Sequence, residues 1–305
     1  MLRNVLLYLS QASWAKAIVT HVPLARRVAL RFVAGESLDE AIKTAHALNQ
    51  QGLLVTLDYL GESVAQAADT EAVVKMYTDL LTRIQQDKLN ASVSLKLTHL
   101  GLDISEDLCV TNLRHIMTAS HGILITIDME SSAYTDRTLR IYRTMRDEYD
   151  FDNIATVIQS ALRRSSADME ELAAEGAHIR LVKGAYLEPE DVAYPEKADV
   201  DHAFMQIMRR YLQSDTPVYL DIATHDENMI QAAKDFVALY AVPPSKYEFQ
   251  MLYGIRTARQ LELAGAGDKV RVYVPFGEAW YPYFMRRLAE RPANLWFFAK
   301  SLFSR

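Results

Sequence analysis

The chain has 305 residues, half of them apolar, and a formal net charge of −6, which is enough to bury one barrel-sized core or two smaller ones. The negative balance excludes the basic stripe or patch expected of a nucleic-acid binder. The single cysteine, Cys109, excludes an internal disulfide and any CxxC or Cys/His metal spacing, so a reducing compartment is expected.

The run Met1 to Gln11 is apolar but has no small-residue cleavage site behind it, so a signal peptide is not expected. No uncharged stretch approaches the roughly 20 residues of a membrane span. Residues Asn4 to Ala34 carry apolar positions at mixed helical spacings, with Arg26, Arg27 and Arg31 among them. They read as one or two helices, either an arm covering the main domain or a basic amphipathic helix on an anionic lipid surface. Ser37-Leu-Asp-Glu40 has capping-box spacing and starts a helix towards Gln50.

From Gly52 the chain alternates strand with helix. Leu53–Asp58 is a buried-strand run, followed by helical spacing over Ala68–Lys88. Ser92–Leu97 precedes a helix around Glu106–Ser120, Ile123–Asp128 one around Tyr134–Glu148, and Ile154–Gln159 one around Ala167–Glu175. His178–Lys183 leads to a helix around Asp201–Ser214, Val218–Ala223 to Asn228–Tyr240, Tyr247–Leu252 to Arg256–Ala264, and Val270–Pro275 to a final helix. Eight such units with no Pro-, Gly- or Ser-rich linker predict an α/β fold, a (β/α)8 TIM-like barrel over residues 51–305. Residues 1–50 would form an N-terminal helical arm, and the C-terminal helix would lie over the barrel mouth.

Chemistry in such barrels belongs to the C-terminal strand ends. Those ends carry Asp58 with Glu62 beyond it, Lys96, Asp128-Met-Glu130, Gln159, Arg180 through Tyr186, Thr224-His-Asp226, Gln250 through Tyr253, and Tyr273 with Pro275. The cations Lys96, Arg180, Lys183, Arg286 and Arg287 outnumber the acids expected at the same mouth, which points to one or two anionic ligands. Arg180 and Lys183 fall on opposite faces of an unbroken strand, so both reach one site only if the strand gives way before Gly184. Arg286 and Arg287 would be a solvated pair on most helices, with Glu290 in reach of either. The neighbouring Trp280, Tyr281, Tyr283, Phe284 and Met285 argue for a seated helix instead. Gly265-Ala-Gly267 lacks the rest of a dinucleotide fingerprint and reads as a helix stop. His225 beside Asp226 reads as a loop residue rather than a metal ligand, and no metal site is expected.

The segments Leu57–Glu62, Ser94–Thr98, Ile127–Glu130, Arg180–Tyr186, Ala223–His225, Phe249–Gly254 and Tyr273–Arg291 together resemble the proline dehydrogenase family, in particular its monofunctional bacterial members. The resemblance runs from about Ala34 to the C-terminus. It implies a flavoenzyme that oxidises L-proline to Δ1-pyrroline-5-carboxylate, the first step of proline degradation to glutamate. FAD would be held non-covalently in the barrel, and electrons would pass to a membrane quinone. It further implies that Lys96, Arg286 and Arg287 hold the substrate carboxylate, that Tyr273 packs against the substrate ring, and that Arg180 reaches the flavin near N5. Met129, Gln159, Lys183, Gly184 and Ala185 would line the cofactor, with Thr224 and His225 at its adenosine half. Asp128 matches the family's essential acid, and Glu62 would open and close the site through Arg286.

Asp128 is too acidic to deprotonate a secondary ammonium effectively, which makes it an orienter of the nearby cations. Leu187 stands where bifunctional relatives often have tryptophan, so flavin packing there is expected to be looser. A separate pyrroline-5-carboxylate (glutamate semialdehyde) dehydrogenase would consume the product. The expected location is cytoplasmic, with peripheral contact on the inner face of the membrane. Three alternatives remain at this point. One is a Schiff-base aldolase or lyase using Lys96 or Lys183. Another is a hydroxyproline dehydrogenase, which the resemblance disfavours because relatives preferring hydroxyproline tend to have a smaller residue than Tyr273. The third is a catalytically silent ligand-binding barrel.

Overall fold

The protein, seen in a computed structural model, is described at Ala12, Trp14 and residues 30–290. Most of the expected N-terminal helices, with Arg26 and Arg27, lies outside the described residues. The first helix, α1 (Leu38–Gln50), begins at the predicted capping box. The Ser37 side chain accepts from the Glu40 N–H, and the Glu40 carboxylate takes the Ser37 N–H in return. This exchange satisfies two donors that a helix start otherwise leaves bare.

Eight parallel strands then close on themselves in chain order: β1 (Leu54–Tyr59), β2 (Ala91–Leu95), β3 (Ile125–Ile127), β4 (Ile154–Gln159), β5 (His178–Val182), β6 (Tyr219–Ala223), β7 (Tyr247–Leu252) and β8 (Val270–Phe276). Each is followed by a helix, the first seven on the outer wall and the eighth over the mouth. These are α2 (Ala67–Gln86), α3 (Glu106–Ser120), α4 (Thr135–Arg143), α5 (Ser165–Ala174), α6 (Lys197–Leu212), α7 (Glu227–Leu239), α8 (Thr257–Gly265) and α9 (Trp280–Glu290). The expected helix to Glu148 is divided, because α4 passes into a π-helical turn at Thr144–Glu148. As expected, α8 stops at Gly265.

Side chains along a strand point alternately in and out. The outward set, including Val55, Leu57, Val93, Ile125, Ile179, Leu220, Phe249 and Val272, is fully buried with the helices in one core. Each such aliphatic side chain contributes roughly 1.5–3 kcal/mol. The inward set is different in kind: Thr56, Ser92, Ser94, Thr126, Asp221, Glu248 and Gln250 are buried and polar. Barrel interiors are ordinarily filled with branched aliphatic residues. Here Arg180 crosses the lumen from β5 to Ser94 on β2, and Arg271 crosses from β8 to Ser92.

The strands β2, β3 and β5 end before the predicted limits. Lys96, Asp128 and Lys183 are each the first residue beyond the ladder. The chain leaves the sheet where a charged side chain must turn towards the mouth.

Candidate active site

One cavity of about 540 Å³ opens at the C-terminal ends of the strands. Its wall includes Lys96, Asp128, Met129, Gln159, Arg180, Lys183, Gly184, Ala185, Thr224, His225, Tyr273, Arg286 and Arg287. Every site residue expected from the sequence is therefore at this cavity except Glu62, which reaches it by bonding Arg286.

At the floor, the Lys96 ammonium lies 3.2 Å from Asp58 Oδ2 and 3.6 Å from Asp128 Oδ2. Burial draws the lysine down, but Asp58, Asp128 and Glu62 outweigh it and hold the amine above its ordinary value. A permanently charged ammonium has no lone pair for imine formation, so Lys96 is suited to hold an anion rather than attack a carbonyl. Burial also pushes the Asp58 carboxyl up, against the pull of Lys96. The Tyr273 phenol donates to Asp128 Oδ2 at 2.7 Å. Its burial and the charges of Asp128 and Asp58 keep it well above the ordinary phenol range, a neutral donor at any working pH.

Arg180 is fixed on several sides. Its Nη1 donates to Asp128 Oδ1 at 2.8 Å and to Ser94 Oγ at 3.0 Å, and its Nε donates to Gln250 Oε1 at 2.6 Å. The guanidinium carbon also lies 5.4 Å from the centre of the Tyr273 ring. Nη2 is buried and has no hydrogen-bond partner among the described residues. A buried donor on a cation is costly to leave bare, and this one belongs to a side chain on the cavity wall.

β5 ends at Val182, and Gly184 adopts φ +120. A Cβ there would press on Gln159 Oε1 at 3.0 Å and Ala161 at 3.2 Å. This break is what brings both Arg180 and Lys183 to one cavity, as strict alternation forbids. Lys183 there bonds Asp201 at 2.7 Å and Asp226 at 2.8 Å.

The mouth is covered by α9. Phe32, Val33, Leu60, Ile255, Trp280, Tyr281, Tyr283, Phe284 and Met285 form a second hydrophobic cluster beside the barrel core. The Trp280 indole N–H donates to Glu36 at 3.0 Å. This seating turns the arginine pair inwards. Arg286 Nη2 donates to Glu62 Oε1 at 2.6 Å, and Arg287 lies over the Tyr283 ring at 5.0 Å. Glu62 is partly buried, which raises its carboxyl, but Arg286 and Lys96 outweigh this and bring it below the ordinary range. Behind it, Gly61 abuts the His99 ring so closely that an added Cβ would lie 2.1 Å from Nε2. Burial, then Lys96, holds His99 down to about 4, so it is neutral near pH 7.

The expected excess of cations does not survive in space. Asp58, Asp128 and Asp221 face Lys96 and Arg180, Glu62 faces Arg286, and Asp201 and Asp226 face Lys183. Glu130 turns away to accept from Thr98 N and Oγ1. His225 Nε2 accepts from the Leu252 N–H, and no metal-holding group of three or more His, Cys, Asp or Glu occurs among the described residues. Asp58 and Gln250 stand at the expected strand ends but carry no predicted role, and Ser94 and Asp221 are site members that were not expected as such. Their signal was present, since they alternate with the apolar positions of their strands.

The fold and site define a (β/α)8 barrel with a charged cavity at the C-terminal strand ends, where barrel enzymes carry their chemistry. The family model described as "Proline dehydrogenase" matches residues 41–300. The chain is 43% identical over 308 residues to "Proline dehydrogenase 1" of Bacillus subtilis (strain 168), with 99% of each chain covered. It is 40% identical over 280 residues to "Proline dehydrogenase" of Deinococcus radiodurans, with 90% of each covered. Among solved structures, the proline utilization A protein of Bdellovibrio bacteriovorus inactivated by N-propargylglycine superposes with a TM-score of 0.81 at 25% identity, over 91% of this chain and 34% of that one. The chain thus spans about a third of that larger protein. It belongs to the proline dehydrogenase family. It is a flavin-dependent oxidoreductase with FAD as its cofactor, and its reaction is the FAD-linked oxidation of proline to pyrroline-5-carboxylate. The residues fit that group: a cavity within the usual range of about 300–1,000 Å³ for ligand sites, an orphan guanidinium donor on its wall, and a left-handed glycine turn at Gly184 on the same wall.

Proposed function

We propose that residues 51–305 form the FAD-binding catalytic barrel and residues 1–50 an N-terminal arm, and that electrons from L-proline leave to a membrane quinone. Bound FAD supplies the two-electron acceptor. Lys96, Arg286 and Arg287 hold the proline carboxylate, and Tyr273 packs against the pyrrolidine ring. Oxidation leaves positive charge on the substrate nitrogen and adds negative charge to the acceptor, which a fixed cation at Arg180 stabilises. Met129, Gln159, Lys183, Gly184 and Ala185 line the cofactor, with Thr224 and His225 towards its adenosine half. Asp128 orients Arg180, Tyr273 and Lys96, and the substrate amine gives its proton to water. Glu62 closes the site through Arg286. The observation that carries this reading is the convergence of Lys96, Arg286 and Arg287, the neutral Tyr273 phenol and the orphan Arg180 donor on a single cavity.

Among the described residues no helix is long and apolar enough to cross a membrane, so contact with a quinone-bearing membrane would be peripheral, from the cytoplasmic side. Product would go to a separate pyrroline-5-carboxylate dehydrogenase. The test is the visible spectrum of the purified protein under anaerobic conditions. A flavin band bleached by L-proline, much less readily by hydroxyproline, and restored by a soluble quinone supports the reading. A flavin band that proline leaves intact overturns it.

A further inference from the structure

The polar lumen continues below Arg180 as a hydrogen-bonded column. Gln250 on β7 is buried and uses both ends of its amide. Its Oε1 accepts from Arg180 Nε at 2.6 Å, and its Nε2 donates to Glu248 Oε1 at 2.7 Å. The amide orientation follows from its neighbours, because a guanidinium only donates and a carboxylate only accepts. Glu248 is held in turn by Arg271 through both nitrogens of its fork. On the other side, Asp221 Oδ2 stands 3.8 Å from Arg180 Nε, while Asp221 Oδ1 bonds His178 Nε2 at 2.8 Å.

We propose that Gln250, supported by Glu248 and Arg271, is a positioning residue that sets the plane of the Arg180 guanidinium and so aims its unpartnered Nη2 at the cofactor. This rests on the reading of Arg180 as the flavin-facing cation. Gln250 is suited to the place because it alone must accept from above and donate below. Without it, Asp221 is the nearest remaining acceptor for Nε and draws the guanidinium towards β6.

The experiment compares Gln250→Met with Arg180→Met in the holoenzyme, reading FAD content, the midpoint potential of bound FAD, and kcat and KM for proline. The expected result for Gln250→Met is a kcat about 10–100-fold lower, a proline KM within about 2-fold, and a lowered potential, with FAD retained. A second variant, Glu248→Gln combined with Gln250→Glu, exchanges the two side chains. The carboxylate at position 250 still accepts from Arg180 and from the amide at position 248, while Arg271 keeps one of its two acceptors at position 248, and the variant should recover part of kcat. Gln250→Glu alone sets two carboxylates against each other and should not. Where Gln250→Met loses FAD, recovery of FAD and kcat in the exchanged pair supports the proposal, and failure to recover overturns it. Unchanged kcat and potential in Gln250→Met, while Arg180→Met alters both, overturns the positioning role alone. Unchanged values in Arg180→Met overturn the reading of Arg180 and the inference with it.

Discussion

Asp128 and Tyr273 meet at 2.7 Å, phenol to carboxylate, and the other carboxylate oxygen takes Arg180 at 2.8 Å. One acid just beyond β3 therefore fixes a neutral donor from β8 and a cation from β5. Asp128→Asn keeps the shape but removes the negative charge and one of the two acceptor oxygens, so residue 128 can no longer accept from both Arg180 and Tyr273 or form an ion pair with Lys96. Such bonds contribute about 1.5–3 kcal/mol, or roughly 10–100-fold. The loss should fall mainly on kcat, with FAD retained, because Asp128 orients the reacting groups and does not hold the carboxylate. Stopped-flow reduction of the flavin by proline checks this, and an undiminished rate would remove Asp128 from the mechanism.

The Glu62–Arg286 pair leaves most of the guanidinium donors available, so Glu62 pins Arg286 over the mouth rather than blocking it. Glu62→Ala should raise the proline KM about 3–10-fold; a lower KM would instead mean that Glu62 competes with the substrate. The pH dependence follows from the depressed carboxyl. The pair's contribution is complete above the unfolded glutamate value of about 4.3 and is lost as pH falls through the lower folded value. Between pH 5 and 8 the ratio of mutant to wild-type KM should therefore be flat.

Gly61 offers a second way to move the same carboxylate without changing any charge. A Cβ at 2.1 Å from His99 Nε2 cannot be accommodated unless the loop or the ring shifts. Gly61→Ala should displace Glu62 and raise the proline KM in the manner of Glu62→Ala, leaving FAD content unchanged. Steady-state kinetics of the two single variants and their combination check it: if the effects simply multiply, the two residues act independently.

The barrel was legible because its outward strand faces are aliphatic and its helices carry helical spacing, so all eight strands are where the pattern puts them. The cations at the strand ends were legible for the same reason, as departures from an apolar run. What periodicity could not reveal was the pairing. Asp221 and Glu248 read as isolated polar breaks in β6 and β7, and only closure of the ring sets them beside His178, Arg180 and Arg271. The inward turn of Arg286 was legible from the aromatic residues around it, but the bond that helps seat the helix was not, since Trp280 donates to Glu36, 244 residues away in sequence.

That contact carries a stability prediction. Trp280 is buried, packs edge-on to Phe284 at 6.1 Å, and belongs to the cluster under α9 rather than to the barrel core. Truncating a buried tryptophan costs about 3–5 kcal/mol. Because the cluster is separate, the loss in Trp280→Ala should be taken largely by undocking of α9. Calorimetry should show the main transition moved by only a few degrees, while the proline KM rises at least about 10-fold. A large fall in the main transition with normal KM would show that α9 is welded into the barrel.

Arg287 tests the clamp most directly. Its guanidinium lies against Tyr283 and on the cavity wall, so Arg287→Met removes one charge facing the substrate while keeping an apolar stem against the ring. A charge-assisted bond to a carboxylate is worth about 1.5–3 kcal/mol, which predicts a proline KM roughly 10–100-fold higher. The rate of flavin reduction at saturating proline should change far less, because Asp128, Tyr273 and Arg180 are untouched, and the visible spectrum of bound FAD should be that of the wild type. Proline titrations followed at the flavin band measure both quantities in one experiment. A normal KM would place Arg287 outside the clamp, and a fallen FAD content would make it a cofactor residue instead.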